Sequence, residues 1–359
     1  MVTSATAELP VAAATTVDAP SAGPTADATS ATAAVIPNSL WKSPRLIAEG
    51  DLVILFEHIN SLTYCYVTAH AVFNNRHGAF YHDDMIGRPF GATLRTRQKN
   101  ARGYMILLAP TPELWSRALR HRTQIVFTLD ASAIMFSASL RSGSRVVESG
   151  TGSGALTTSF ARTVAPHGHV FTFEFNPTRA EIAREEFARN GLADVITVDC
   201  RDACEQGFPD ELAGSIDLVF LDLPCPWKAI DHSTKMLKQG GNFASYSPCI
   251  EQVQKTCGAL REAGYEMIRT IETRLIPYQS RRIDLPTPDF GLSVETVTST
   301  TGASTSSSSA TIESASSGEE AKAPGGKKRR FTGEYVVAKK DDEIRGHTAF
   351  LTFAVKFFE

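Results

Sequence analysis

The sequence predicts an α/β fold, with a mostly parallel sheet that has helices on both faces and follows a small β-rich domain. From residue 111 onward, short apolar strands alternate with helical stretches, as in parallel sheets. Before that point, residues 50–58, 62–70 and 103–110 resemble strands with no helix between them. Such β-rich runs indicate a small barrel or sandwich. The 359 residues leave room for two domains.

Changes in composition predict the domain boundaries. Residues 1–40 are rich in Ala, Thr, Ser and Pro and are expected to be a disordered tail, without the basic and apolar regions of a leader peptide. The β-rich domain then covers 41–110, and the sheet domain covers 111–292. Residues 293–344 form a Ser/Thr-rich insertion with too little apolar content to pack, so disorder is predicted. Residues 345–359 return as the last strand of the sheet domain.

Overall composition limits the classes of function. The net charge of −3 does not indicate a nucleic-acid binder, although a local basic surface or a basic partner would compensate. The six cysteines include no CxxC pair, which favours buried thiols in a reducing compartment and no metal site. No apolar run is long enough to span a bilayer, so no membrane partner is expected.

A glycine-rich loop follows the first strand of the sheet domain. It reads VVESGTGSGAL over 146–156 and contains Gly150, Gly152 and Gly154 at alternate positions. Glycines at a strand–helix turn let a ligand approach the backbone. The carboxylate of Glu148 would repel a pyrophosphate but suits an ammonium group. The loop therefore favours S-adenosylmethionine, which carries cationic groups and no phosphate, over a dinucleotide.

Acidic residues follow the next strands at the same predicted edge of the Rossmann-like sheet. Glu174 ends HVFTFEF and is placed to bind the ribose hydroxyls of the ligand. Asp202 follows VITVDC and is placed to meet the adenine amino group. Any one of them alone would be better explained as a solvated carboxylate. Because the carboxyl ends of such strands form the ligand-binding edge, their succession predicts a cofactor site.

The fourth strand ends in VFLDLPCPW, residues 219–227. Its carboxylate, Asp222, is expected to face the methyl donor and to accept the exocyclic amino hydrogen of a target adenine. The prolines stiffen the turn, and Trp227 offers a surface for stacking or packing. The alternative is that Asp222 caps the following helix while Trp227 belongs to the core.

Several ordered motifs resemble those of one family. They are IGRPFG (86–91), TPELW (111–115), HRTQI (121–125), VVESGTGSGAL (146–156), RAEIAREEF (179–187), FLDLPCPW (220–227) and SPCIEQVQKTC (247–257). Together they resemble the catalytic subunits of eukaryotic tRNA (adenine-58-N1) methyltransferases. The resemblance implies a class I S-adenosylmethionine-dependent methyltransferase sheet with an N-terminal β-barrel. It also implies a heterotetramer, with two such chains and two copies of a related non-catalytic subunit that helps to bind tRNA.

The resemblance also implies the site residues, with Asp222 as the catalytic residue. The donor is expected at Val126, Glu148, Ser149, Gly150, Thr151, Gly152, Ser153, Gly154, Ala155, Leu156, Glu174, Arg179, Asp202, Ala203 and Asp222. RNA or its target base is expected at Gly103, Tyr104, His121, Arg122, Thr123, Gln124, Ile125, Leu221, Leu223, Pro224, Tyr246, Ser247, Pro248, Cys249, Ile250, Glu251, Gln252, Val253, His347 and Thr348. Further RNA contacts are expected at residues 74–84 and along RTRQKNAR (95–102), for which a solvated charge run is the alternative.

Other functions stay open at this stage. The same donor fold serves other acceptors, such as another RNA nitrogen or a protein carboxylate. A non-catalytic RNA-binding subunit with a relic donor pocket is a third reading, but its glycine loop or Asp222 should then be eroded, and both are intact. The basic patch KKRR at 327–330 indicates nuclear import, with a cytoplasmic pool as the alternative location.

Overall fold

The computed structural model describes residues 46–97, 103–286, 331–340 and 346–357. Its N-terminal part contains six short strands. They are β1 (Leu52–His58), β2 (Ser61–Tyr66), β3 (Val72–Asn75), β4 (Gly78–Tyr81), β5 (Thr93–Arg95) and β6 (Tyr104–Leu108). Four of them form an antiparallel sheet in the order β2-β1-β6-β5, and β3 and β4 form a hairpin. These pairings confirm a β-rich N-terminal part, whereas its closure into a barrel stays a prediction.

The central sheet has seven strands in the order β12-β15-β11-β10-β7-β8-β9. Its strands are β7 (Arg145–Ser149), β8 (His169–Glu174), β9 (Ile196–Cys200), β10 (Ile216–Leu221), β11 (Leu237–Ser247), β12 (Tyr265–Glu272) and β15 (Phe350–Lys356). β7 to β11 pair in parallel, and only β15 runs antiparallel, between β11 and β12. The predicted α/β class and the return of the C-terminal strand to the sheet are therefore confirmed.

Six α-helices accompany the sheet within the described residues. They are α1 (Pro112–Ala118), α2 (Thr128–Ser137), α3 (Ala155–Val164), α4 (Pro177–Arg189), α5 (Ile230–Met236) and α6 (Ile250–Glu262). Local signals start two of them: the Thr111 hydroxyl accepts from the Leu114 N–H at 3.3 Å, and the Asn176 side chain accepts from the Arg179 N–H at 3.0 Å. In both cases a proline follows the cap, where its fixed φ suits the first helical position.

The side chains of β10 from Leu218 to Leu221 are apolar on both faces of the sheet, because helices cover both faces. Leu218 and Phe220 pack into one hydrophobic cluster, whereas Val219 and Leu221 pack into the other. Because successive side chains of a strand point to opposite faces, all four positions are buried. The polar residue that ends this run, Asp222, therefore emerges at the carboxyl edge of the sheet.

The N-terminal sheet packs directly against the central domain. Leu52 and Ile54 share one hydrophobic cluster with Trp115 of α1. On the same side, the Tyr66 hydroxyl donates to Asn190 Oδ1 at 2.9 Å, and the Arg189 guanidinium lies 3.6 Å from the centre of the Tyr66 ring. These contacts fix the N-terminal sheet beside the end of α4.

One predicted region differs from the structure. Residues 331–340, inside the segment predicted to be disordered, form β14 (Phe331–Lys340), which pairs antiparallel with β13 (Tyr278–Pro286). The prediction of disorder is wrong here. It rested on the low apolar content of residues 293–330, but the following run EYVVA contains β-branched and aromatic residues that are typical of a strand. The predicted tail, residues 293–330 with KKRR, residues 341–345 and residues 98–102 of the basic run lie outside the described residues.

No helix within the described ranges is long and apolar enough to cross a membrane.

Candidate active site

The glycine loop between β7 and α3 lies against the main chain of Asp222. The Asp222 N–H donates to the carbonyl oxygen of Ser149 at 2.9 Å. Gly150 has φ +98°, and a Cβ built there would lie 2.3 Å from the Asp222 carbonyl oxygen. Gly150 is therefore required both for its left-handed backbone and for this close approach. The loop and the end of β10 form one rigid corner.

A cleft with about 290 Å³ of open space lies at this corner. Its lining comes from the segment before α2, the glycine loop and the end of β10: Thr123, Gln124, Ile125, Val126, Glu148, Gly150, Thr151, Gly152, Ser153, Gly154, Ala155, Leu156, Phe220 and Asp222. Among the described residues that line it, none is Lys or Arg. The cleft thus combines a polar glycine loop with two acidic side chains.

Both carboxyl groups of the cleft titrate far above their ordinary range. Burial raises the pKa of Glu148 to about 7, against hydrogen bonds from Thr157 and Thr172 that lower it, and the charges of Asp222 and Glu174 raise it further. Burial, with the nearby charge of Glu174, raises the pKa of Asp222 to about 7. A cation nearby would favour the ionised carboxylates, and the described lining has these two carboxyl groups and no Lys or Arg, so its charge suits a positively charged ligand. The residues therefore fit S-adenosylmethionine.

Two threonines hold Glu148 in place. Its Oε2 accepts from the hydroxyls of Thr157 at 2.6 Å and Thr172 at 2.7 Å. The Thr172 oxygen also lies 2.6 Å from the Thr151 hydroxyl in the glycine loop. Because Thr172 gives its one hydrogen to Glu148, Thr151 donates to Thr172. Sequence reasoning missed Thr157 and Thr172, which carry no motif signal of their own.

Glu174 ties the glycine loop to α4. Its Oε2 accepts from the Gly152 N–H at 3.0 Å, and its Oε1 accepts from Arg179 Nη2 at 2.6 Å. Burial acts to raise the pKa of Glu174, but the hydrogen bonds from Arg179, Asn176 and Gly152 hold it below its usual value. The structure thus gives Glu174 and Arg179 a role in positioning the loop. Their contact with the donor stays a prediction.

The remaining predicted donor residues lie around this corner but do not line the cleft. Ser149 is buried and offers its carbonyl oxygen to Asp222. Asp202 follows β9, and its Oδ1 accepts from the Cys204 N–H at 2.8 Å, which stabilises the local turn. Ala203 is buried beside it. The proposed adenine contact of this pair stays a prediction.

The HRTQI segment reaches into the cleft. Thr123, Gln124 and Ile125, which are predicted to contact RNA, line the same cleft as Val126, which is predicted to contact the donor. The Arg122 N–H donates to the Ser153 hydroxyl at 2.9 Å, and Arg122 Nη1 pairs with Glu186 at 2.7 Å. His121 is exposed. The segment is therefore anchored to the glycine loop through Ser153.

The structure decides between the two explanations of the VFLDLPCPW turn. The short 3-10 turn after it, Pro226–Ala229, has no side-chain cap, and neither does α5, so Asp222 is not a helix cap. Trp227 packs against a hydrophobic cluster, and the Lys255 ammonium lies 4.9 Å from the centre of its ring. Trp227 therefore packs against the core, whereas the Asp222 side chain lines the cleft.

Residues around that turn are fixed by α6. Gln252 Nε2 donates to the Pro224 carbonyl oxygen at 3.0 Å. Leu221 and Val253 are buried in the core, so any RNA contact by Leu221 would be made by its backbone. Leu223 is half-buried against the same core. The start of α6 is open to solvent at Pro248, Cys249, Ile250 and Glu251.

The other predicted RNA residues lie in two places. Gly103 and Tyr104 are at the start of β6, where Tyr104 is exposed and the Arg95 guanidinium lies 5.9 Å from its ring centre. Tyr246 and Ser247 are buried at the end of β11. His347 and Thr348 precede β15. In the basic run, Arg97 is bound by Asp84 through two hydrogen bonds of 2.9 Å, which makes it less available to a phosphate.

Comparison with known sequences decides the family. The profile of the family described as "tRNA methyltransferase complex GCD14 subunit" matches residues 103–356. The chain belongs to this family. It is 41% identical over 312 residues to the tRNA (adenine(58)-N(1))-methyltransferase catalytic subunit of Dictyostelium discoideum, covering 86% of this chain and 96% of that relative. It is 38% identical over 360 residues to the corresponding subunit of Kluyveromyces lactis, covering 87% and 88%.

Solved structures show the same fold. A SAM-dependent O-methyltransferase from Thermotoga maritima is similar with a TM-score of 0.64 and 25% identity, covering 88% of this chain and 96% of that chain. A tRNA (m1A58) methyltransferase from Aquifex aeolicus gives a TM-score of 0.59 at 19% identity, covering 88% of this chain and all of that one. The fold predicted from the alternation of strands and helices is therefore confirmed.

Proposed function

We propose that this chain is the catalytic subunit of a tRNA methyltransferase that transfers a methyl group from S-adenosylmethionine to N1 of adenine 58. The observation that carries the proposal is the position of Asp222, a carboxylate with raised pKa that lies against the glycine loop in a cleft without Lys or Arg among its described lining residues. The relatives of the same family bear names of this activity.

The residues that would hold the donor follow from the cleft. Glu148 and Asp222 supply the negative charge that its amino-acid end and sulfonium need, and the loop from Gly150 to Gly154 lets the ligand approach the backbone. When bound, S-adenosylmethionine supplies an electrophilic methyl group. Glu174 keeps the loop in place through its bonds to Gly152 and Arg179.

Asp222 is the residue proposed to act on the base. Its carboxylate accepts a hydrogen bond from the exocyclic amino group of adenine, which leaves electron density on N1 and stabilises the positive charge that N1 acquires. A base inside a stacked loop cannot reach this cleft, so the target adenine must leave its stack. The enzyme then contributes mainly orientation and electrostatics.

The partner is proposed to be a related non-catalytic subunit in a heterotetramer of two plus two chains. A surface that supports this proposal runs from the edge strand β12 to the antiparallel pair of β13 and β14. Large apolar side chains are exposed there: Met267 71%, Ile271 36%, Leu275 68%, Ile276 45%, Tyr278 65% and Val336 69%. A run of this kind is typical of a surface covered in an assembly. We define these six residues as the apolar edge.

The chain is proposed to work in the nucleus, on the basis of KKRR at 327–330. A tagged chain in which these four residues are alanine should lose nuclear accumulation in imaging. Unchanged accumulation would remove KKRR as the signal.

The proposed activity is tested with labelled methyl transfer to a transcribed tRNA. The chain is assayed alone and with its partner, on tRNA with adenine or guanine at position 58. Transfer that requires the adenine supports the proposal, and equal transfer to both RNAs would remove the assignment of position 58. Asp222→Ala should abolish turnover, whereas donor binding by calorimetry should be weakened but still measurable, because Glu148 keeps part of the negative charge of the cleft. Near-normal turnover in that variant would refute the catalytic role of Asp222.

A further inference from the structure

A positively charged surface outside the cleft lies where the end of α4 meets the N-terminal sheet. Arg189, in the last turn of α4, is exposed, and its guanidinium lies 3.6 Å from the centre of the Tyr66 ring. The Tyr66 hydroxyl donates to Asn190 Oδ1 at 2.9 Å, and the centres of the Tyr64 and Tyr66 rings are 5.9 Å apart. Arg189 is thus held on an aromatic surface of β2.

A second segment of the chain brings two more arginines to the same place. Arg120 and Arg122 follow α1, and Arg122 Nη1 pairs with Glu186 of α4 at 2.7 Å, one turn before Arg189. Burial raises the pKa of the Tyr64 phenol, and the charge of Glu186 adds to the rise. The charges of Arg120, Arg122 and Arg189 act in the opposite direction, so all three lie near that phenol. We define these three residues as the arginine cluster.

The charge of the arginine cluster is opposite in sign to that of the whole chain. The chain carries a net charge of −3. At the Tyr64 phenol, three guanidinium groups face the single nearby carboxylate of Glu186, which leaves a local positive excess among the described residues. A local positive surface on an acidic chain suits an anionic polymer.

Hydrogen-bond donors at this surface also lack acceptors. Arg122 Nε, Arg122 Nη2 and Asn190 Nδ2 are buried, and none of these three atoms has a partner within the described part of the chain. Asn190 is 0% exposed, and its other amide atom is engaged by Tyr66. Because unpaired buried donors cost free energy, the surface favours a ligand that brings acceptor oxygens and no donors.

Guanidinium groups suit a phosphate in geometry as well as in charge. Their N–H groups form a planar fork that pairs with two phosphate oxygens. Glu186 holds Arg122, and the Tyr66 ring holds Arg189, before any ligand binds. Such preorganisation lowers the cost of ordering side chains on binding.

The arginine cluster continues into the wall of the cleft. The Arg122 N–H donates to the Ser153 hydroxyl of the glycine loop at 2.9 Å, and the next residue, Thr123, lines the cleft. A nucleic acid with a base in the cleft can therefore place its backbone on the arginine cluster.

We propose that the arginine cluster binds a backbone phosphate of the tRNA beside the loop that carries the target adenine. This inference rests on the proposed function, which supplies the tRNA. A phosphate contact carries no base information, so it adds affinity and fixes the position of the RNA without selecting the adenine. Arg120 and Arg189, which lie outside the sequence motifs, are the new members of the RNA-binding surface.

The test measures how tRNA binding depends on salt. With the chain and its partner together, the tRNA dissociation constant is measured between about 50 and about 200 mM salt. The slope of log affinity against log salt concentration reports the number of phosphates that the protein neutralises, at about 0.7 to about 0.9 per phosphate. Tm and donor affinity check that each variant is folded.

The variants separate charge from packing. Arg120→Gln combined with Arg189→Gln should weaken tRNA binding about tenfold and lower the magnitude of the slope by about one. The loss should be equal for tRNAs with adenine or guanine at position 58, because the contact is to the backbone. Arg189→Lys keeps the charge and should keep the slope. The matched control is Arg184→Gln, an exposed arginine on another face of α4 that pairs with Glu181, and it should keep both affinity and slope.

Three results would overturn the phosphate site. An unchanged slope in the double variant, with or without a lower Tm, would mean that Arg189 only braces Tyr66. A loss of slope in Arg189→Lys would show that charge is not the cause, and an equal loss in Arg184→Gln would show that position is not.

The same experiment separates the phosphate site from the proposed function. Methyl transfer to tRNA with unchanged slopes would remove the site alone. The expected slopes without methyl transfer would remove the proposed function and keep the site. A complex that binds no tRNA would remove both.

Discussion

Replacing Asp222 by asparagine is expected to stabilise the ligand-free chain, although it should abolish catalysis. Burial and the charge of Glu174 raise the pKa of Asp222 from 3.8 to about 7. A carboxyl whose pKa is higher in the folded than in the unfolded chain weakens folding as it ionises. The penalty is absent below the unfolded pKa, grows between the two values and is complete above the folded one.

The size of the effect follows from the same shift. A rise from 3.8 to about 7 corresponds to at most about 4 kcal/mol at about 1.4 kcal/mol per pKa unit. The stability gained by Asp222→Asn should therefore be at most about 2 kcal/mol at about pH 5.5 and at most about 4 kcal/mol at about pH 8. The main-chain bond from Asp222 to Ser149 is retained in the variant, so the turn itself is unchanged.

Urea unfolding of the ligand-free chain at both pH values measures this difference. The matched control is Asp217→Asn on β10, which loses the ion pair with Lys238 but keeps an amide oxygen that can accept from the Arg145 N–H. That variant should show no stabilisation that grows with pH. An Asp222→Asn variant that is less stable than the wild type at about pH 8, or a gain that is the same at both pH values, would refute the reasoning.

Three further predictions concern the donor, the loop and the partner. Donor affinity should rise as pH increases through about 7, because a cationic ligand favours the ionised forms of Glu148 and Asp222. Calorimetry in buffers of different ionisation enthalpy should detect the protons that are released on binding. Donor affinity that does not change with pH would contradict the prediction. Gly150→Ala should lower donor affinity at least about tenfold, because the added Cβ would lie 2.3 Å from the Asp222 carbonyl oxygen. The control is Gly214→Ala, where φ is also positive but no atom lies within 4 Å of the added Cβ. Leu275→Glu in the apolar edge should abolish co-purification with the partner and retain donor binding, whereas Ile182→Glu, on a helix that packs at the opposite end of the sheet, should retain both.

Much of the lining of the candidate cleft could be predicted from the sequence because its signals are local. The strand–loop–helix pattern around Gly150 and the acidic ends of successive strands are contained in short segments, and parallel strands bring those ends to one edge. The same alternation predicted a mostly parallel sheet to which the C-terminal strand returns, whereas the strand order and the position of β15 between β11 and β12 come from the structure. The strand at 331–340 was not predicted, because its short run of β-branched residues directly follows a long polar segment, residues 293–330.

By itself, the sequence determined the fold class and the family motifs, and it predicted the acidic and glycine residues at the carboxyl edge of the sheet, since each is a local pattern of residue types. Only the tertiary structure decided how those residues are used. It places Gly150 against Asp222, engages Glu174 with the loop and assigns Trp227 to packing. It also brings Asp130 to Thr273 and Thr348 across 143 and 218 positions of chain. Hydrogen bonds over such separations, and the pKa shifts that burial causes, depend on the packed three-dimensional environment, which no local pattern encodes.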